Sequence, residues 1–293
     1  MTRDELLTRL LRLPWGEDGV PAPLNDAIGV SRRRYRLIAG EPPGRLEFLL
    51  LAALAISGWS ARIDLIQVIN NRRGLQPRSG SYRRAIEQLD KSGLWITQIA
   101  SFNYRKIALV RLTERGVKLL QDAGVPVVPS EWERVEQQHW IYRDRCEMTT
   151  HTAAICTFLH HARLRGYETE ACPTVDHPLA RPDALAARPG LKIYVEVQNR
   201  GGTTWRKAAK WRNQADWQGF AAICALTPNW ALRLARQAQA AGVTRGLVTD
   251  LSTLVTQAPA TLWTHRWLSL YSPPEPAPDN APESWLQEVV YTR

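Results

Sequence analysis

The stretch ARPDALAARPGLKIYVEVQNRG, residues 180–201, predicts two β-strands joined by a tight turn centred on Pro189-Gly190. Counting outward along both strands from that turn places Asp183 opposite Glu196. Two carboxylates that face each other across an antiparallel pair repel each other and destabilise the sheet unless a cation lies between them. The hairpin therefore points to a divalent metal ion at this place in the fold.

The second strand carries apolar and polar side chains in alternation. Because successive side chains of a strand point to opposite faces, we expect Ile193, Val195 and Val197 to face the core. Glu196 and Gln198 then share the other face. The alternative is a solvated hairpin, in which the aspartate caps a turn and the glutamate is an ordinary surface residue.

The sequence of this hairpin resembles the core motif of the PD-(D/E)XK nucleases. In that family an Asp after Pro, and a Glu two positions before a Lys, hold magnesium at the scissile phosphate. The match here reads Pro182-Asp183 and then Glu196-Val197-Gln198. The departure is Gln198, because the family usually has Lys at this position, although some members have Gln there and others carry the Lys on the following helix.

The resemblance implies a site for Mg²⁺ or Mn²⁺, with Asp183, Glu196 and the main-chain carbonyl of Val197 as its ligands. Magnesium held by carboxylates neutralises a phosphate and lowers the pKa of an attacking water. Gln198 can orient that water, but it cannot carry the positive charge of a lysine.

The missing charge has two candidate sources on the helix TTWRKAAKWRNQADW, which follows the second strand. Lys207 and Lys210 are placed for this role if the helix points one of them back at the carboxylates. The family sometimes uses a further acid on its first long helix, and Glu147 is the candidate well inside that helix here.

Composition and charge restrict the class of protein. The chain has 293 residues, of which 44% are hydrophobic, and a net charge of +10. Residues 1–125 hold 20 Lys and Arg against 12 Asp and Glu, so a net of +8 lies in this part, as expected of a module that contacts phosphates. The longest uncharged apolar run, FLLLAALAISGW at 48–59, is too short to span a membrane. We therefore expect a soluble, cytoplasmic protein without a small organic cofactor.

Residues 45–125 have the pattern of a winged helix-turn-helix. A buried helix, RLEFLLLAALAIS, is followed by ARIDLIQVINNRR with Ser60 as its N-cap and by a third helix, SYRRAIEQLDKSG. Two strand-like runs, LWITQIAS and RKIALVRLT, and the helix LTERGVKLLQDAG complete the resemblance.

The third helix of that fold enters the major groove of duplex DNA. Its candidate readers of bases and phosphates are Tyr82, Arg83, Arg84 and Gln88. On the wing, Arg105 and Lys106 would contact the DNA backbone. The alternatives are that the arginines are merely solvated, or that the winged domain binds another protein.

The fold class expected for the whole chain is α+β, with a mixed sheet in the nuclease-like domain. The expected parts are a basic arm with a short helix at 1–44, the winged domain at 45–125, a linker at 126–138, the nuclease-like domain at 139–271 and a Pro-rich tail at 272–293. A second subunit is one partner that the helix in the arm could contact.

The order of these parts resembles the replication-relaxation family of plasmid and mobile-element proteins over residues 45–250. The segments that carry the resemblance are HTAAICTFLHHARLRG, the RPDA motif, the VEVQ strand and a following helix with Lys and Trp. The resemblance extends more weakly to plasmid mobilisation relaxases built from a winged helix and a nuclease-like core. It implies DNA binding near an origin of replication or transfer and, in some members, strand nicking.

Two functions remain open at this point. The first is a metal-dependent DNA endonuclease or nickase directed by the winged domain, and the second is a non-catalytic replication, transfer or transcription regulator with a degenerate nuclease core. The feature that distinguishes the two functions is the absence of the motif's lysine, which is replaced by Gln198. A relaxase that forms a tyrosyl-DNA bond is a third route, for which the candidate nucleophiles are Tyr35, Tyr82, Tyr104 and Tyr142.

Overall fold

In the computed structural model the chain divides into two compact units. The first unit comprises Met1–Ala100 and Lys106–Gln137, and the second comprises Ser101–Arg105 and Gln138–Arg293. Within them the structure describes residues 1–13, 26–27, 44–73, 80–102, 105–139, 145–177, 180–198, 204–256, 261–278 and 283–291. The basic tract at 31–36 lies outside these ranges. None of the helices in them is long and apolar enough to cross a membrane.

The first unit contains helices and a small two-stranded sheet. Its strands are β1 (Trp95–Phe102) and β2 (Arg105–Leu112). Its helices are α1 (Arg3–Leu11), α2 (Arg45–Ser57), α3 (Arg62–Arg73), α4 (Gly80–Ser92), α5 (Glu114–Asp122) and α6 (Glu131–His139).

The centre of this unit is α2, which is apolar on all sides and buried from Glu47 to Ile56. Leu6 and Leu10 of α1 are buried in the same core, as expected for a short amphipathic helix in this segment. A single antiparallel bridge between Ala61 and Leu109 joins the residue before α3 to β2. This bridge fixes the start of α3 against the two-stranded sheet.

Residues 126–138 differ from the expected linker. The prolines interrupt regular structure only up to Ser130, after which α6 begins and buries Trp132 and Val135 within the first unit. Ser60 does not act as the predicted N-cap of α3. Its hydroxyl instead accepts the Trp132 N–H at 2.8 Å, and its own N–H donates to Glu131 Oε2 at 3.0 Å. These contacts attach α6 to the helical core, so the first unit continues to Gln137.

The second unit contains a seven-stranded mixed sheet in the order β3-β4-β5-β6-β7-β8-β9. The pairs within β3–β5 and β7–β9 are antiparallel, and β5, β6 and β7 are parallel. The strands are β3 (Glu168–Ala171), β4 (Ala184–Arg188), β5 (Leu191–Gln198), β6 (Ala221–Ala225), β7 (Gly246–Asp250), β8 (His265–Trp267) and β9 (Glu275–Pro276).

Helices cover this sheet, and its central parallel strands are buried at every residue of β6 and β7. The helices are α7 (Arg145–Leu164), α8 (Thr204–Gln218), α9 (Pro228–Ala240), α10 (Leu251–Thr256) and α11 (Glu283–Val290). Trp211 of α8 packs in one core cluster with apolar residues of α9 and the sheet. The coarse expectation of an α+β chain with a mixed sheet is confirmed.

The pairing of β4 with β5 follows the predicted register. Arg188 pairs with Leu191 across the turn, and the ladder continues to Ala184 opposite Val195. Gly190 has φ of 75°, a conformation that glycine adopts without steric cost and that this tight turn requires. Asp183 comes one residue before this ladder, at the level of Glu196.

The Pro-rich segment at 272–293 is part of the second unit rather than a separate tail. β9 pairs with β8, and α11 buries Trp285, Leu286 and Val289. Arg266 of β8 donates to the Trp285 carbonyl at 2.7 Å and pairs with Glu288 at 3.0 Å. These contacts show that this end of the chain packs back onto β8.

Candidate functional site

Asp183 lies directly before β4, and its carboxylate is contacted from two sides. It is 1% exposed. Its Oδ2 accepts the backbone N–H of Val197 at 2.8 Å, and its Oδ1 lies 3.3 Å from Nε2 of His151 on α7. The carboxylate is therefore oriented by β5 on one side and by the long helix on the other.

Glu196 is buried beside Asp183, with 4% of its surface exposed. This burial excludes the solvated-hairpin alternative. Burial raises the pKa of Glu196 to about 8, the positive charge of Lys210 opposes the rise, and the negative charge of Asp183 adds to it. Without a further cation, Glu196 is therefore mostly protonated at neutral pH.

Lys210 is the cation that lies between the two acids. Its Nζ contacts Glu196 Oε2 directly and lies 4.0 Å from Asp183 Oδ2. The lysine side chain is 37% exposed, so it bridges the buried acids and the solvent. Of the two lysines predicted from the sequence, Lys210 makes this contact, while the side chain of Lys207 lies outside the described part of the structure.

The other predicted site residues lie on β5. Gln198 is the last residue of the strand and pairs with Ala225 of β6, and it is half-buried. Val197 directs its side chain into the core, while its N–H donates to Asp183. Because the N–H and C=O of one strand residue point to the same side, the Val197 carbonyl points to the edge of β5 on which Asp183 lies.

His151 is a site residue that sequence reasoning missed. Two further histidines of the same helix, His160 and His161, lie edge to face with ring centroids 5.0 Å apart. The signal that points to His151 is its spacing, since it follows the predicted Glu147 by four residues and so shares one face of α7 with it. The side chain of Glu147 itself lies outside the described residues.

The site supplies some of the oxygen ligands that a hard cation requires. Mg²⁺ prefers oxygen ligands and commonly uses one or two carboxylates, completing its coordination with water and substrate phosphate. Asp183 and Glu196 supply two such carboxylates, and the carbonyl of Val197 supplies a third oxygen on the same side. Within the described ranges, no group of three or more His, Cys, Asp and Glu side chains is arranged to hold a metal ion.

The predicted DNA-contacting residues of the first unit fall into two groups. Tyr82 is 1% exposed and packs in the helical core, so its assignment as an exposed reader is wrong, and burial also excludes it as a DNA-linked nucleophile. Arg83 and Arg84 are exposed on α4, while Gln88 is half-buried. On β2, Lys106 is exposed.

The two arginines on α4 are held only loosely by their own helix. Arg83 lies 3.8 Å from Glu87, and Arg84 donates to the Gly80 carbonyl at 3.3 Å. Three predicted nucleophiles lie outside the described residues, as does the side chain of one predicted wing contact: Tyr35, Tyr104, Tyr142 and, for the side chain, Arg105.

No protein-family model, no curated protein and no solved structure gives a significant match to this chain.

The buried glutamate predicts a specific pH dependence of stability in the metal-free protein. Its folded pKa of about 8 exceeds the ordinary value of 4.5, so between these values the folded state binds more protons than the unfolded state. The free energy of unfolding should therefore fall as pH rises through this window, and Glu196→Gln should flatten the fall. Urea denaturation in the presence of a chelator measures both curves, and parallel curves for the two proteins would contradict the assignment.

Proposed function

We propose that this chain is a DNA-binding protein whose second unit hydrolyses DNA phosphodiester bonds with a divalent metal ion, in the manner of PD-(D/E)XK nucleases. The observation that carries the proposal is the contact of Lys210 with both Asp183 and Glu196. Gln198 leaves the motif without its usual positive charge, and a lysine from the next helix provides that charge at the same acids.

The order of elements in the second unit supports this proposal. A long helix, α7, precedes the antiparallel strands β3, β4 and β5, and the helix α8 then leads to the parallel strand β6. This is the order of the nuclease core that the sequence resembles. The carboxylates lie where the hairpin meets the parallel part of the sheet, so a substrate that reaches Lys210 from solvent also reaches the acids.

The residues of the site divide the work of hydrolysis. Asp183, Glu196 and the Val197 carbonyl would hold the metal ion, which when bound neutralises the phosphate and lowers the pKa of a water ligand. The N–H of Val197 and His151 keep the Asp183 carboxylate in one orientation. Lys210 places a positive charge where negative charge develops on the phosphate in the transition state.

The first unit supports recognition of duplex DNA by a winged helix. Along the chain, the order is α2, the bridge residue Ala61, α3, α4 and the strands β1 and β2, which is the order of a winged helix-turn-helix. Arg83 and Arg84 on α4 and Lys106 on β2 are exposed positive charges on the elements that contact DNA in that fold. Together the units support the resemblance to replication-relaxation proteins of mobile elements.

The second candidate function is a non-catalytic DNA-binding regulator. The ion pair favours it in one respect, because Lys210 already offsets the charge of the buried acids without any metal. A degenerate core stabilised in this way would bind DNA through the first unit and cleave nothing. Absence of cleavage by the wild-type protein with magnesium and with manganese, on supercoiled, linear and single-stranded DNA, would favour this function.

The first prediction of the proposal concerns the acids. Asp183→Ala and Glu196→Ala should each abolish Mg²⁺-dependent cleavage of supercoiled plasmid, because each removes a metal ligand, while affinity for duplex DNA stays unchanged. Asp216→Ala, an exposed acid on α8, is the matched control and should cleave normally. Equal nicking by the wild type and both site variants would show that the cleavage comes from a contaminating nuclease.

The second prediction concerns the lysine. Lys210→Ala should lower the single-turnover cleavage rate on the order of 100-fold or more, comparable to the loss of one preorganised charge partner of a transition state. In that variant, Gln198→Lys should restore part of the rate. Lys192→Ala removes an exposed lysine of β5 and is the control. Full activity in a Lys207, Lys210 double alanine variant would rule out a lysine on α8 as the catalytic cation.

The third prediction concerns DNA binding by the first unit. A residue that contacts only phosphate, as proposed for Lys106, should weaken binding to all sequences when replaced by alanine and lower the slope of log affinity against log salt by about 1. A base-reading Arg83 or Arg84 should cost roughly 1 to 3 kcal/mol on the preferred site alone. Salt titrations on specific and random duplexes separate the two effects. Unchanged affinity in all three variants would assign this unit to protein binding instead.

A further inference from the structure

Two glutamines of α8 are bound to the main chain of the sheet beside the proposed site. Gln214 is 3% exposed, and its Nε2 donates to the Tyr194 carbonyl at 2.7 Å while its Oε1 accepts the Ala222 N–H at 3.3 Å. Gln218 accepts the Tyr194 N–H at 2.6 Å and donates to the Tyr194 carbonyl at 3.2 Å. Both polar main-chain groups of Tyr194 are thus bound by side chains of one helix.

These hydrogen bonds replace a main-chain hydrogen bond that would normally join β5 to β6. The ladder between β5 and β6 begins with Glu196 opposite Ile223. One step earlier, a regular parallel ladder would run from the Ala222 N–H to the Tyr194 carbonyl. The amide of Gln214 lies between these two groups and bonds to both, so a helix side chain forms the rung immediately before Glu196.

The spacing of these residues connects the rung to the catalytic lysine. Lys210, Gln214 and Gln218 follow one another at intervals of four and therefore lie along one face of α8. A lysine side chain is long and flexible, and Lys210 is partly exposed, so its own packing holds it weakly. The position of its Nζ over the acids depends on where the helix lies on the sheet.

We infer that Gln214 and Gln218 are positioning residues, which attach α8 to β5 and β6 at the depth and rotation that bring Lys210 onto Asp183 and Glu196. The geometric part of this inference stands on the hydrogen bonds alone. Its consequence for cleavage rests on the proposed function. Apolar residues of the same size would pack equally well against the sheet but would leave buried amide groups of β5 and β6 without partners, so they would not hold the helix in this register.

The experiment compares Gln214→Leu and Gln218→Leu with Gln239→Leu in the full-length protein. Gln239 is the matched control, because it lies on α9 of the same unit and its Nε2 also donates to two main-chain carbonyls, those of Ser269 and Ser272, both at 2.8 Å. Urea denaturation first establishes that each variant is folded. Gln218→Leu provides the test if loss of the more deeply buried Gln214 prevents folding.

The first readout does not depend on activity. Acylation of Lys210 by an amine-reactive reagent, followed by mass spectrometry, should be at least about tenfold faster in the Gln214 and Gln218 variants, since the loss of two or three hydrogen bonds favours local opening of the helix by that factor or more. Gln239→Leu should label Lys210 at the wild-type rate. Unchanged labelling in folded Gln214→Leu and Gln218→Leu proteins would overturn the inference, as would equal acceleration in the control.

The second readout separates this inference from the proposed function. If the site cleaves DNA, the two glutamine variants should lower the single-turnover rate on the order of 100-fold, as a small misplacement of a catalytic group does, with unchanged DNA affinity. Faster labelling together with no cleavage by the wild type would support the positioning role and reject the nuclease. Faster labelling with a cleavage rate equal to that of the wild type would overturn the catalytic part of the inference.

Discussion

The second unit depends on one electrostatic constraint, the burial of two carboxylates side by side. Asp183 and Glu196 are both almost wholly excluded from solvent, and the pKa of Glu196 rises because its charged form loses hydration and lies near another negative charge. A folded protein tolerates such a pair only with a proton or a cation in contact with it. Lys210 is that cation among the described residues, which makes the helix that carries it part of the site.

The architecture around the acids follows from the need to satisfy both charge and hydrogen bonds. The Asp183 carboxylate accepts the N–H of Val197. In a regular sheet, a main-chain carbonyl of the neighbouring strand would accept that N–H. Gln214 forms a side-chain rung between β5 and β6 on the other side of Glu196. The strand that carries the glutamate is therefore bound on both edges by side chains as well as by neighbouring strands. This arrangement limits the movement of the acids relative to Lys210.

In the proposed function, the exposed positive charge and the paired acids have different roles and lie in different units. The positive charge of the chain is concentrated in residues 1–125, whereas the paired acids lie in the second unit. Attraction of a polyanion and neutralisation of a single phosphate make different demands, since the first needs many exposed cations and the second needs buried ligands at fixed distances. The proposed function assigns the first requirement to the first unit and the second to the paired acids.

The sequence by itself determined the features that depend on local geometry. The alternation of β5, the turn at Pro189-Gly190 and the resulting level of Asp183 with Glu196 follow from the period of a strand, and the observed register agrees with them. The expected helices of the first unit follow from apolar periodicity and lie where the sequence placed them. These features involve residues close together in the chain, so the pattern alone contains the required information.

Only the tertiary structure decided which residues meet across long separations. Tyr82 is of a residue type that often contacts DNA, yet the packing of the helices buries its side chain in the core. His151 meets Asp183, and Lys210 meets the acids, because helices far apart in sequence pack around the same strands. The segments expected as linker and tail became α6 and α11, since buried tryptophans in each outweigh the disruption from nearby prolines. Burial and the choice of partner depend on how whole elements pack together, and no local pattern in the chain contains that information.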